Sequence, residues 1–126
     1  MKSFISIFEI SATDILRAVD FYQTILDIKI ETLDFSGIQM GLFPTEGQMT
    51  FGVIMQGEDY TPSATGVTIY LDGGDNLQVI LDKVEQKGGS IVVPKTPHAD
   101  ESFKRHVFGK HQIVDGFRAL GWKQTF

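Results

Sequence analysis

The sequence predicts an α+β domain built from two similar halves, and three observations predict it. Two stretches, 14–26 and 75–87, carry apolar residues at the three-and-four spacing of an amphipathic helix. Nearly every other apolar run is short, with period-two alternation or bounding turn residues, which is the pattern of strands. The two helix starts, Asp14 and Asp75, lie about half a chain length apart, and an apolar strand precedes each.

In chain order, Ser3 to Ile10 is the first strand, with one carboxylate, Glu9, among its apolar residues. The first helix, Asp14 to Leu26, turns Ile15, Ala18, Val19, Tyr22 and Leu26 inward, with Thr13 or Asp14 as cap and Arg17, Asp20 and Gln23 toward water. Phe21 joins Tyr22 in the packing of helix on sheet. Strands follow at Lys29 to Phe35, Ile38 to Phe43 and Gln48 to Gln56, joined by a tight turn at Ser36-Gly37 and a longer one at Pro44 to Gly47. A polar stretch with Pro62 then separates the halves, so the modules run over about 1–57 and 66–126 with 58–65 as linker in a single domain. The second half opens with a strand at Gly66 to Asp72. Its helix, Asp75 to Lys87, faces Leu77, Ile80, Leu81 and Val84 inward and is stopped by Gly88-Gly89. Strands at Ser90 to Val93, Phe103 to Phe108 and Phe117 to Trp122 complete it.

Composition excludes several function classes. At 126 residues the chain can bury a core without disulfides or structural metal. The absence of cysteine excludes thiolate catalysis, cysteine-based zinc sites and iron–sulfur clusters, and agrees with a reducing compartment. A net charge of −5, with no cluster of basic residues, argues against nucleic acid as a partner. No apolar run reaches membrane-spanning length and the N-terminal one is too short for a signal segment, so a cytoplasmic, soluble protein is expected, with no membrane partner. No glycine-rich phosphate loop and no GxSxG elbow occurs.

The run DILRAVDFYQTILDIKI after a short strand, then GVTIYLDGGDNLQVILDKVEQKGGSIVVPKT and the late DGFRALGWK, resemble the glyoxalase/bleomycin-resistance/extradiol-dioxygenase group, the vicinal oxygen chelate superfamily. The resemblance spans nearly the whole chain. It implies two βαβββ modules forming a cupped mixed sheet, and a homodimer. Enzymes of that superfamily hold a divalent metal with His and Glu from four strand positions, and the resemblance maps three of these onto Ile7, Val67 and Leu120 and the fourth within Thr50 to Gln56. Aliphatic side chains, and a segment without acid, His or Cys, cannot ligate a metal, so neither a metal site nor any other cofactor is expected.

If Ile7 faces the cup, strand alternation places Glu9 on the same side, with Phe4, Phe8 and Ile10 toward the helix. The same parity brings Met49, Phe51, Val53 and Met55 of the fourth strand, and Arg118 and Trp122 of the last, to the cup. Glu9, Phe51, Val53, Arg118 and Trp122 are therefore the candidate ligand-binding residues, and no catalytic residue is assigned. A structural Glu9–Arg118 pair is the competing account of those two charges. His98, His106 and His111 lie near Asp100 and Glu101, but the stretch also holds Lys104, Arg105 and Lys110 and lacks a helical histidine pair, so it reads as a solvated loop that could cover the cup. The expected function is binding of a small organic molecule, as in the metal-free drug-sequestering members of the superfamily. The alternative is a lyase, isomerase or dioxygenase-type enzyme of the same superfamily, including metal-free proton transfer with Glu9 as base and Arg118 as anion partner.

Overall fold

The computed structural model describes residues 4–47, 50–62, 69, 71 and 78–89 in full, together with the backbone of Leu77 and of four strands nearer the C-terminus. The elements are β1 (Ile7–Ser11), α1 (Ile15–Leu26), β2 (Glu31–Phe35), β3 (Ile38–Leu42), β4 (Phe51–Gln56), α2 (Leu77–Gln86), β5 (Val93–His98), β6 (Ile113–Val114), β7 (Arg118–Ala119) and β8 (Gly121–Thr125). The architecture is α+β: a four-stranded mixed sheet and two helices, with two further two-stranded sheets.

The first half has the expected strand, helix and three strands, and the sheet order is β1-β4-β3-β2. β2 and β3 form an antiparallel hairpin across Ser36 and Gly37, both at positive φ (52° and 83°), the geometry of a turn that follows the right-handed twist of its strands. β4 returns antiparallel to β3, and β1 joins it in parallel, with Ile7 opposite Phe51, Glu9 opposite Val53 and Ser11 opposite Met55. Thr50 donates its hydroxyl to the Ile5 carbonyl and so fastens the start of that pair.

α1 covers one face of this sheet. Asp14 caps it by accepting from the Arg17 amide, and the Gln56 side chain accepts from the Ile15 amide at 2.6 Å, tying the helix start to the end of β4. Its buried residues are Ile15, Ala18, Val19, Phe21, Tyr22 and Ile25, whereas Leu26 is only half-buried. Under the helix lie Ile10, Phe43 and Ile54, with the Phe8 ring edge-on to Phe43 at 5.8 Å. Two glycines allow this closeness. A Cβ at Gly41 would sit 2.9 Å from a Val19 methyl, and one at Gly52 would run into the Phe8 ring.

α2 packs beside α1, and Ile80, Leu81 and Val84 join the same core cluster together with Leu71. Its end follows the expected glycine stop. Gly88 takes φ 85°, its amide donates to the Glu85 carbonyl, and the Gly89 amide donates to the Val84 carbonyl at 2.9 Å. Lys87 reaches Asp20 of α1 at 3.0 Å, an exposed ion pair between the helices.

Beyond α2 the described elements differ from the expected strands. The strand expected at Ser90 to Val93 runs instead from Val93 to His98 and pairs in parallel with β8, with an irregular register between Val93 and Thr96. Pro94 and Pro97 stand inside this strand, and a proline is tolerated where no ladder donor is required of it. The single strand expected at Phe117 to Trp122 is two, β7 pairing with β6 and β8 with β5. The expected strands at Gly66 to Asp72, apart from Ile69 and Leu71, and at Phe103 to Phe108 lie outside the described residues.

Candidate functional site

Three of the five candidate residues, Glu9, Phe51 and Val53, share the sheet face turned away from α1. In a sheet, residues directly opposite on neighbouring strands point to the same side. The pairs Ile7–Phe51, Glu9–Val53 and Ser11–Met55 therefore share one face, and Phe8–Gly52 and Ile10–Ile54 share the other. Burial agrees with this division. Ile10 and Ile54 are buried in the helix-side core, whereas Ile7 is 51 % exposed and Glu9 is exposed. Glu9, Phe51 and Val53 are thus brought together, Glu9 directly beside Val53. Phe4, expected on the helix side, is instead fully exposed, because it precedes β1 and lies beyond the reach of α1.

Continuing across the sheet, Val53 pairs with Leu42, and Leu42 with Glu31; Met55 pairs with Met40, and Met40 with Leu33. The face that α1 leaves open therefore holds two lateral rows: Glu9, Val53, Leu42, Glu31, and beside it Ser11, Met55, Met40, Leu33. Val53 and Met55 are buried although they stand outside the helix-side core, so the centre of this face is already covered within the chain. Leu42, Met40 and Phe51 are half-buried, while Ile7, Leu33 and Phe35 form an exposed apolar rim. Methionine and aromatic side chains make such a surface adaptable to an organic ligand.

Arg118 lies in β7 and Trp122 in β8, whose backbone alone is described, and the side chains of both fall outside the described residues, as does Met49. The two residues belong to separate two-stranded sheets, so the single strand parity expected to align them does not apply. Of the positions that the resemblance associates with metal, Ile7 stands on the open face, and β4 presents Phe51, Val53 and Met55 there. Val67 and Leu120 are outside the described residues. Among the described residues no three His, Asp or Glu side chains gather as a potential metal cage. His106 and His111 lie outside them as well, and His98 is described only in its backbone.

Sequence reasoning passes over Glu31. The signal was present in the two-residue Ser36-Gly37 turn, which pairs Phe35 with Ile38 and hence Glu31 with Leu42, on the parity of the open face. Tyr22 is the other polar group of note, on the opposite side. Burial pushes its hydroxyl well above the ordinary tyrosine pKa, so it belongs to the core rather than to the site. No helix among the described residues is long and apolar enough to cross a membrane.

No family model, curated protein or solved structure matches the chain.

Proposed function

We propose that this chain is a glyoxalase/bleomycin-resistance-like protein that binds a small organic molecule on the sheet face turned away from α1, without the catalytic metal of the superfamily's enzymes. The observation that carries the proposal is the pairing of an exposed carboxylate, Glu9, with the apolar surface of Phe51, Val53 and Ile7. Such a surface suits a ligand with an apolar body and one positive or hydrogen-bond-donating group. Aliphatic side chains at the mapped ligand positions support metal-free binding, since they offer no lone pair to a cation. A cup completed by a second βαβββ module, and pairing with a second copy of the chain, belong to the same proposal.

The test is calorimetric titration with decyltrimethylammonium, and with decanoate as a probe of similar body and opposite charge. The cation is expected to bind and the anion not to. Glu9→Gln should weaken the cation about tenfold, equivalent to ~1.4 kcal/mol, with little change in melting temperature. Equal binding by wild type and variant, or a preference for decanoate, would sink the proposal.

A further inference from the structure

β2 forms one edge of the four-stranded sheet, and among the described residues it pairs with β3 alone. All five of its residues are exposed, and two of them are large and apolar, Leu33 at 51 % and Phe35 at 68 %. The two-residue turn at Ser36-Gly37 fixes which of its backbone groups the hairpin leaves unused. Such a turn closes on a hydrogen-bonded pair, here Phe35 with Ile38, and bonding alternates along an antiparallel ladder. Phe35, Leu33 and Glu31 therefore bond to β3, while the amides and carbonyls of Thr32 and Asp34 point outward. An exposed edge that carries apolar side chains is a template for a further strand.

We infer that this edge pairs antiparallel with β2 of a second copy of the chain, about a two-fold axis at Leu33. The inference rests on the pairing of copies proposed above and names its surface; it is independent of the ligand. The strand's own side chains select both occupant and register. Outward backbone groups meet only where Thr32 and Asp34 of one copy face Thr32 and Asp34 of the other, which centres the register on Thr32, Leu33 or Asp34. Centring on Asp34 sets two carboxylates against each other. Centring on Thr32 carries Phe35 past the end of the facing strand, opposite Lys29 of the second copy. Centring on Leu33 matches the whole strand: Thr32 opposite Asp34 on both sides of the axis, hydroxyl to carboxylate, Glu31 opposite Phe35, and Leu33 opposite itself. No like charges then face each other, and each Thr32–Asp34 pair exchanges two backbone hydrogen bonds. Leu33 and Phe35 of both copies gather on the sheet face turned away from α1, beside Met40 and Ile38. The arrangement is closed, so it stops at a dimer. A five-residue edge buries less than the about 1,600 Å² of a standard interface, so the dimer is weak and concentration-dependent.

The chain contains no cysteine, so single-cysteine variants report the register. Residues opposite each other in a non-hydrogen-bonded pair have Cα atoms about 4.5 Å apart, within the ~4.4–6.8 Å span of a disulfide. Leu33→Cys is therefore expected to oxidise to a covalent dimer about tenfold faster than Glu31→Cys or Phe35→Cys alone, whereas those two variants, mixed, should cross-link to each other. Light scattering of the wild-type chain from about 10 μM to about 1 mM should show the mass rising from monomer toward dimer. Leu33→Lys sets two ammonium groups face to face, and Thr32→Pro removes an outward amide that β3 does not use, so both variants should stay monomeric. Circular dichroism verifies that each keeps the fold. A dimer that persists in both folded variants, with no preference for Leu33→Cys in oxidation, overturns the β2 inference while the pairing of copies stands. A wild-type monomer at every concentration, again with no such preference, overturns both.

Discussion

Substituting Gly89 by alanine probes how tightly the two helices are locked. A Cβ there would lie 2.7 Å from the Phe21 ring and 2.8 Å from a Val84 methyl, against ordinary carbon contacts of about 3.5–4.0 Å. Phe21 is 1 % exposed and Val84 0 %, so neither can swing into solvent to make room. Overpacking of this kind costs about 1–3 kcal/mol, and stiffening the unfolded chain by removing a glycine offsets about 0.4–1 kcal/mol of it. The expected net loss is about 1–2 kcal/mol, or about 3–10 °C in melting temperature for a domain of this size. Urea unfolding followed by circular dichroism measures it, with an unchanged slope expected because the same surface is exposed. Val84→Ala removes one of the two clashing groups, so the double variant should be at least ~1 kcal/mol more stable than the sum of the single losses requires. A Gly89→Ala protein as stable as wild type would refute the argument, since it would mean that Phe21 and Val84 are free to move apart.

Other perturbations have equally definite outcomes. Ser36→Asn should stabilise by about 0.5 kcal/mol in chemical denaturation, because Ser36 sits at φ 52° in a two-residue hairpin turn where asparagine is the better residue. Gln56→Leu leaves the Ile15 amide without its side-chain acceptor and should cost about 1 kcal/mol by the same assay. Folding keeps the Tyr22 hydroxyl protonated beyond the ordinary value of 10.0, so its contribution is fully present below that pH and is lost as pH rises above it, when the unfolded state ionises first. Alkaline melting curves should show this loss in wild type and a shallower one in Tyr22→Phe. Adding Zn, Ni, Fe, Mn or Co should leave the melting temperature unchanged, and a stoichiometric metal with a clear upward shift would overturn the metal-free proposal.

Local order was the more legible part of this chain. The cap at Asp14 and the glycine stop at Gly88 rest on side chains and conformations within one turn of the helix, so the sequence carries them directly. Leu26 packs against the core as its spacing implies, but Ile25 is the more deeply buried of the two, because both continue the helical spacing from Tyr22 and only the position of neighbouring elements separates them. Alternation divided β1 correctly between Glu9 and Ile10, yet the parallel neighbour that gives Glu9 its surroundings is a long-range choice with no local mark. Glu31 was hidden for a different reason. All five residues of β2 are exposed, so no hydrophobic pattern distinguishes its faces, and the hairpin register alone does so. In the second half, Pro94 and Pro97 stand inside β5, where pairing depends on the distant β8.

The parallel placement of β1 beside β4 also orders events during synthesis. The bond from Thr50 to Ile5 joins residues 45 apart, so β1 leaves the ribosome long before the strand that receives it. The β2–β3 hairpin can close as soon as it emerges, because its partners are adjacent in the chain. Phe8 and Ile10 of β1, by contrast, must wait with their apolar side chains in water until Phe51 to Gln56 has followed. During that interval β1 is an apolar strand without its partner, and unpaired edges of this kind are what make incompletely folded chains prone to association.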